Sequence, residues 1–598
     1  MKPLLFVLSA VCFVVGCASP PLAGRPPVTD AVELRQPEGS SRVTPQTGWR
    51  GREFAVATAH PLASEAGRAI LEAGGSAVDA AIAAQMVLTL VEPQSSGIGG
   101  GAFLLHHDGR ETVAFDGRET APAEVDEALF LKRDGKVMSF TEAVVGGRAV
   151  GVPGTVRMLE MAHASYGKLP WPTLFEAAIR LADEGFPVGE RLHTLLGKDP
   201  HLRLDPSAAA YFYDQDGQAR AVGTLLRNPS LATVLRRIAR EGSAALHTGD
   251  IAQAIVDRVR QHPQNPGRLT MADLAAYQAK RRAPLCSDYT PKAVAPARNY
   301  RLCGFPPPSS GAIAIAQILG ILNDTPAPFL PFDDPLWLHY YSEASRLAFA
   351  DRAQYVADPD FVAAPGGHWQ TLIERDYLAA RARLIGPQSM KVAAPGSPSP
   401  LGSSRAPMPE QVEYGTSHIS IVDAYGNALA MTSTIEDAFG ARVMVRGFLL
   451  NNELTDFSFT PTDAGGAPVA NRVEPGKRPR SSMSPTLVFD QASGELVLSG
   501  GSPGGALIIH YTAKLLYAML NWELAPQSAI DLPNFGSLNG PTLLEERRFS
   551  KSFVDALQTR GHEVREVGMS SGLQAIRKGD DGYTGGADGR REGRVMGR

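Results

Sequence analysis

The sequence predicts an α+β protein whose β-sheets are covered by helices. Three observations carry this. The chain opens with a short strand and a small-residue helical stretch, its middle is dominated by helical periodicity, and beyond Thr416 it turns to alternating strands. In order, residues 55–90 read as a strand and then a helix, with Ser76 to Ala84 rich in small helix formers. Strands follow at 103–106 and 112–115. Helical segments are expected at 171–184, 231–240, 252–261, 312–322 and 337–355, the Pro306-Pro307-Pro308 run breaking the chain before 312. A Pro/Ser/Gly-rich stretch from about 386 to 405 lacks core residues and reads as an exposed, easily cut loop. Strands are expected at 417–423, 428–434, 443–450, 486–490 and 495–499, and a helix at 506–520.

The net charge of −4 leaves no single-sign field, which excludes nucleic acid as a partner. Met1-Lys2 and the apolar run 4–15 form an export signal too short to span a membrane. That run ends in Val14-Val15-Gly16-Cys17, similar to a bacterial lipobox, so Cys17 is the expected lipidation site and residues 18–50 a disordered Pro/Gly/Ser-rich tether. The expected location is periplasmic, with the protein anchored to the membrane by lipid. Of four cysteines, Cys286 and Cys303 lie outside the signal; a disulfide and two free thiols are both open readings. No Cys/His cluster has metal-ligand spacing, so neither metal nor cofactor is expected.

Two glycine motifs are lookalikes. Gly97-x-Gly99-x-x-Ala102 imitates a dinucleotide fingerprint, but it follows a helix and precedes a strand, the reverse of what that motif needs. Gly500-Gly501-Ser502-Pro503-Gly504 imitates a nucleophile elbow between strand and helix. Pro503 has no N–H to offer an oxyanion hole, which argues against Ser502. Gly504 and Gly505 do have N–H groups and could serve a nucleophile from elsewhere.

Thr416 is that candidate. A break before it would free an α-amine, of pKa about 8, beside its own hydroxyl, joining base and nucleophile in one residue. The turn-rich Asp423-Ala424-Tyr425-Gly426-Asn427 predicts a hairpin whose paired numbers sum to about 850 (twice 425), which sets Thr434 opposite Thr416 as a second hydroxyl. Arg118 offers a planar fork for a carboxylate, Ser481 and Ser482 two hydroxyls, and Glu436, Glu453 and Asp456 acidic groups for an ammonium. Together they suggest a pocket for a zwitterion.

Thr416-Ser417-His418-Ile419-Ser420, Leu450-Asn451-Asn452-Glu453 with Asp456, Arg478-Pro479-Arg480-Ser481-Ser482-Met483, and Gly501-Ser502-Pro503-Gly504-Gly505 resemble, in this order, the gamma-glutamyltransferase family of N-terminal-nucleophile hydrolases. Ala350-Asp351-Arg352 and Gly586-Ala587-Asp588 extend the resemblance to nearly all of the mature chain. It implies a four-layer αββα sandwich and autocatalytic cleavage between Gly415 and Thr416. The products would be a large subunit (51–415) and a small catalytic subunit (416–598) that stay together. It implies Thr416 as nucleophile, Thr434 as its hydroxyl partner and Gly504 and Gly505 as oxyanion hole. Arg118, Ser481 and Ser482 would hold an α-carboxylate, and Glu453 and Asp456 an α-amine. The implied donor is a γ-glutamyl amide such as glutathione, and the acceptor is water, an amino acid or a peptide.

Two departures bear on specificity. Glu436 stands where many members of the family have asparagine, and a third acidic group should favour a donor with an ammonium, provided that it is ionised and points inward. Segment 459–473, where bacterial relatives carry a lid, is short and has no tyrosine, which should leave the acyl-enzyme more open to water. An amide or cephalosporin-type acylase on the same scaffold and an inactive binding lipoprotein are the alternative readings.

Overall fold

The computed structural model describes residues 43–399, 404–411 and 413–598 of a chain that is continuous through Gly415–Thr416, and these lie in one compact unit, Arg35–Arg598. The export signal, Cys17 and the tether up to residue 42 lie outside the described residues.

The fold is α+β and rests on two seven-stranded antiparallel sheets. One runs Trp49–Gly51, Gly582–Ala587, Gln574–Gly579, Leu496–Gly501, Thr486–Asp490, Tyr300–Gly304, Leu285–Tyr289. The other runs Arg594–Gly597, Ala55–Thr58, Ser417–Val422, Ala428–Thr434, Gly101–His107, Thr112–Asp116, Lys280–Arg282. Each sheet takes strands from both sides of Thr416, so the ladders would hold the two parts together if the chain were cut between them.

Both faces of the central hairpin are buried, and its apolar residues divide between two cores. Its Val422, Ala428 and Ala430 join Phe103, Leu487 and Ile576 in the core shared by the sheets. The alternate residues Ile419, Ile421, Leu429 and Met431 join the cluster that includes helices Pro61–Glu72 and Ala77–Val91. Helices Gly311–Asn323, Pro335–Tyr355 and Ile508–Leu520 group beside the other sheet, Ile313 packing with strand residue Leu285.

The hairpin has the expected register, Ser417 facing Ser433 and His418 facing Thr432. Its turn is held locally: Asp423 Oδ1 accepts from the amides of Tyr425 at 3.0 Å and Asn427 at 2.9 Å. Cys286 and Cys303 face each other on neighbouring strands and are joined as a disulfide.

Two expectations are corrected. The tether does not reach residue 50: Thr44 N donates to Gly589 O at 2.7 Å, and Trp49–Gly51 is an edge strand on Gly582–Ala587. That strand draws its partner from the far end of the chain, which local composition cannot announce. The strand expected at 443–450 is instead a two-residue hairpin, Met444–Val445 against Phe448–Leu449, because Arg446 and Gly447 both have positive φ.

Candidate active site

Thr416 stands one residue ahead of the Ser417–Val422 strand and is 1 % exposed. Gly415 before it has φ +46°, and a Cβ there would lie 1.8 Å from the Glu436 carbonyl oxygen, so the backbone requires glycine at this position. The Thr434 hydroxyl donates to the Gly415 carbonyl at 3.2 Å and accepts from Glu436 N at 2.7 Å. It was expected to orient the Thr416 hydroxyl; in the uncut chain it polarises the carbonyl that Thr416 would attack. Arg591 Nη1 donates to Thr416 O at 3.0 Å, so the backbone is held on both sides of the bond.

Gly505 packs against the same segment, and a Cβ on it would come within 1.9 Å of the Glu413 carbonyl oxygen. Ser502 is wholly buried; its hydroxyl donates to Pro503 O at 2.8 Å and accepts from Gly572 N at 3.2 Å, a structural role. The Gly97–Gly101 turn lies behind the hairpin. Cβ atoms on Gly99 and Gly100 would sit 2.1 and 2.0 Å from the carbonyl oxygens of Leu449 and Thr434, a backbone approach that leaves no room for a phosphate.

The charged candidates come together, with partners other than those expected. Arg118 is 1 % exposed and donates to Glu453, to Asp456 and to the carbonyls of Pro479 (3.1 Å) and Arg480 (3.0 Å). Its fork is therefore not free for a substrate carboxylate, and the cation that Glu453 and Asp456 hold is Arg118 itself. A buried guanidinium demands such counter-charge. Ser482 donates to Glu413 Oε2 at 2.5 Å, whereas the Ser481 hydroxyl accepts from Met483 N at 3.1 Å and stays within its own loop.

Carboxyls outnumber the guanidinium around Arg118. Burial pushes Asp456 up to about 8, against the pull of Arg118 and with the Glu413 and Glu453 charges adding to the rise. Burial raises Glu453 as well, with Arg118 opposing. Glu119 is held well above the usual carboxylate range by burial and then by the Glu453 charge. Glu436 is likewise held well above it, by burial first and then by the charges of Asp456, Asp437 and Glu453. Its carboxyl does point inward, accepting from Tyr414 N at 3.1 Å, Thr455 Oγ1 at 3.2 Å and Asn452 Nδ2. Burial and the neighbouring acidic charges thus favour its protonated form in the uncut chain, against the ionised state that an ammonium-binding role requires. Asp456 Oδ1 accepts no hydrogen bond.

A titration test follows from Glu436. An acid whose folded pKa lies above its unfolded value of about 4 costs nothing below pH 4. Above that, the unfolded chain ionises while the folded one keeps its proton, so stability falls as pH rises. Glu436→Gln removes this penalty. In an uncut Thr416→Ala background, the melting temperature of Glu436→Gln relative to Glu436 should rise between pH 5 and pH 8, by up to about 1.4 kcal/mol per pH unit in stability terms. Groups that do not interact with Glu436 cancel in the difference, leaving Glu436 and its neighbours Asp456, Asp437 and Glu453, and a gap independent of pH would show that folding does not raise the Glu436 carboxyl.

Segment 459–473 does not stand clear of the site. Ala406 N donates to Pro468 O at 3.0 Å, Met408 clusters with Val469, and Phe459 stacks on Phe130 with centroids 4.4 Å apart. The chain leading to Gly415 thus packs against this segment at Ala406 and Met408. His339, Glu343 and His562 are grouped closely enough to suggest a metal. However, His339 Nδ1 and His562 Nε2 bond each other at 2.8 Å, with Gly386 O and Thr542 Oγ1 at the outer nitrogens, a complete hydrogen-bond relay.

Sequence reasoning missed Glu119, Arg352, Glu413 and Arg480. Glu119 adjoins Arg118, and Arg352 and Arg480 lie inside motifs already singled out, so adjacency was their one signal.

Comparisons with known proteins place the chain among relatives of similar sequence and fold. The profile of the family described as Gamma-glutamyltranspeptidase matches residues 63–598. The glutathione hydrolase proenzyme of Bacillus subtilis (strain 168) is 35% identical over 563 residues, covering 92% of this chain and 92% of that protein. Among solved structures, the cephalosporin acylase from Bacillus halodurans superposes with TM-score 0.78 at 26% identity, covering 93% of this chain and 98% of its own. Helicobacter pylori gamma-glutamyltranspeptidase superposes with TM-score 0.52 at 31% identity over 58% of this chain and 95% of its own. With the profile spanning residues 63–598 and the relative covering 92% of both chains, the chain belongs to the gamma-glutamyltranspeptidase family.

Proposed function

We propose that the protein is a γ-glutamyl hydrolase and transferase made as a precursor. The Thr416 hydroxyl attacks the Gly415 carbonyl, the peptide nitrogen leaves as the Thr416 amine, and water hydrolyses the resulting ester to give a Gly415 carboxylate and a free N-terminal threonine. That amine is the general base for the next attack, on the γ-carbonyl of a donor such as glutathione. A γ-glutamyl ester of Thr416 forms, and water or an amino-acid or peptide amine releases it. Thr434 steadies the nucleophile, and the N–H groups of Gly504 and Gly505 receive the oxyanion. The sheets and flanking helices form an αββα sandwich of large and small subunits. Cys17 would carry a lipid anchor that holds the enzyme at the periplasmic face of a membrane.

The observation that carries the γ-glutamyl reading is the buried acidic cluster of Glu436, Glu453 and Asp456, in which Glu453 Oε2 and Asp456 Oδ1 have no hydrogen-bond partner although Arg118 pairs with both residues. A donor ammonium can donate to these oxygens and favour their ionised form; a glutaryl group can do neither. The likeness to a cephalosporin acylase supports the acylase as second reading. Hydrolysis of γ-glutamyl and glutaryl 4-nitroanilides separates the two. The γ-glutamyl compound should be favoured by at least about 30-fold in kcat/KM, as expected for a charge-assisted contact made only by the ammonium. Preference for the glutaryl anilide would move the assignment to the acylase.

A further inference from the structure

The uncut chain carries its own carboxylate in the site. Glu413, three residues before Thr416, has a side chain only 6 % exposed. Arg352 Nη2 donates to its Oε1 at 2.6 Å, the Ser482 hydroxyl donates to its Oε2 at 2.5 Å, and Arg480 Nη2 lies 3.7 Å from Oε1. Arg352 is fixed in place: its Nη2 also reaches Ser482 Oγ at 2.6 Å, and its Nε reaches Ser310 Oγ at 2.9 Å. Arg480 is 3 % exposed and its Nε has no hydrogen-bond partner. The cradle adjoins the Arg118 cluster through the Arg480 carbonyl, which accepts from Arg118.

Burial would raise the Glu413 carboxyl, but the charges of Arg352 and Arg480 outweigh it and hold it below its usual range. The strain falls on the cations. Burial, and then the like charge of Arg352, push Arg480 down to about 9 even with Glu413 present. If residues leading to Gly415 withdraw after cleavage, two neighbouring buried guanidiniums lose their principal carboxylate. Such a pair is strongly destabilising unless another anion takes its place.

We propose that Arg352, Arg480 and Ser482 form a carboxylate subsite of the processed enzyme, that Glu413 stands in it for the α-carboxylate of the donor, and that Arg480 and Arg352 set the preference for donors carrying that group. The proposal rests on the γ-glutamyl reading and adds two cations and an internal occupant to it. It also gives the tail ending at Gly415 a second property: as long as it stays seated, it competes with the donor.

The test uses the processed enzyme, γ-glutamyl 4-nitroanilide, and the same anilide with its α-carboxylate replaced by a carboxamide. Arg480→Gln should raise KM for the carboxylate substrate by about 10-fold or more, leave KM for the carboxamide within about twofold, and change kcat by less than about threefold. Arg480→Lys should recover most of the loss, since a charge is retained. Parallel changes for both anilides, or none, overturn the subsite. An effect confined to the KM of an amino-acid acceptor overturns its assignment to the donor. A second measurement needs no variant. The peptide Pro-Glu-Gln-Val-Glu-Tyr-Gly, matching residues 409–415, should inhibit the wild-type enzyme competitively, and its counterpart with glutamine at the fifth position should bind at least about 10-fold more weakly. Equal inhibition by both peptides, or by neither, overturns the proposal. Wild-type turnover of the γ-glutamyl anilide keeps the functional reading standing in any of these cases, whereas its absence fails that reading instead.

Discussion

Thr416→Ala yields a chain that runs as a single band on a denaturing gel and loses at least about 10⁴-fold of its γ-glutamyl anilide turnover, as expected when a nucleophile is deleted. Two functions disappear with one oxygen. The hydroxyl that would attack Gly415 is gone, and the amine that would serve as base stays locked in a peptide bond. The fold should survive, because the contacts around the bond go to backbone: Thr434 to the Gly415 carbonyl and Arg591 to that of Thr416. Melting temperature and the gel together check this. Two bands, or retained turnover, would remove Thr416 from the mechanism. The same variant preserves the uncut state in which Glu413 fills its cradle.

Arg118→Gln should lower stability by about 3–5 kcal/mol, the usual result of breaking a buried pair from one side, and should abolish γ-glutamyl specificity. The guanidinium is shared by Glu453 and Asp456 and by the carbonyls of Pro479 and Arg480, groups contributed by two distant stretches of chain. Without it, the folded pKa values of both acids rise further above their unfolded values of about 4. Asp456 already keeps its proton up to about pH 8 with Arg118 present, so its share of the deficit appears as pH rises past that value and the deficit should be larger at pH 9 than at pH 6. Thermal unfolding at the two pH values measures it. Arg118→Lys keeps the charge but not the fork and should fall between. Equal stability of Arg118→Gln and wild type at both pH values would show that the cluster does not depend on this cation.

Much of the site was legible where the determining physics is local. The Asp423-Ala424-Tyr425-Gly426-Asn427 turn is closed by its own side chain, so the register bringing Thr434 to the Gly415–Thr416 bond follows from counting outward from Tyr425. Pro503 excluded Ser502 by covalent structure alone. Helix-before-strand order disposed of the Gly97 motif, and the structure shows backbone where a phosphate would sit. Arg118, Glu436, Glu453 and Asp456 were found as a set, but their pairings were not, and Glu119, Arg352, Glu413 and Arg480 were not found. Arg118 and Glu453 are separated by 335 positions, and nothing local to either tells whether a carboxylate will meet a substrate ammonium or a guanidinium.

By itself, then, the sequence determined the α+β class, the register of the hairpin after Thr416, and the family, because periodicity, turn chemistry and motif order are properties of short stretches. Only the tertiary structure decided that Thr434 donates to the Gly415 carbonyl, that Trp49–Gly51 closes a sheet edge, that burial and acidic neighbours raise Glu436, and that Glu413 sits between Arg352 and Ser482. These depend on burial and on partners far away in the chain. A buried charge is governed by whatever packing brings beside it, and that information is spread over the whole fold.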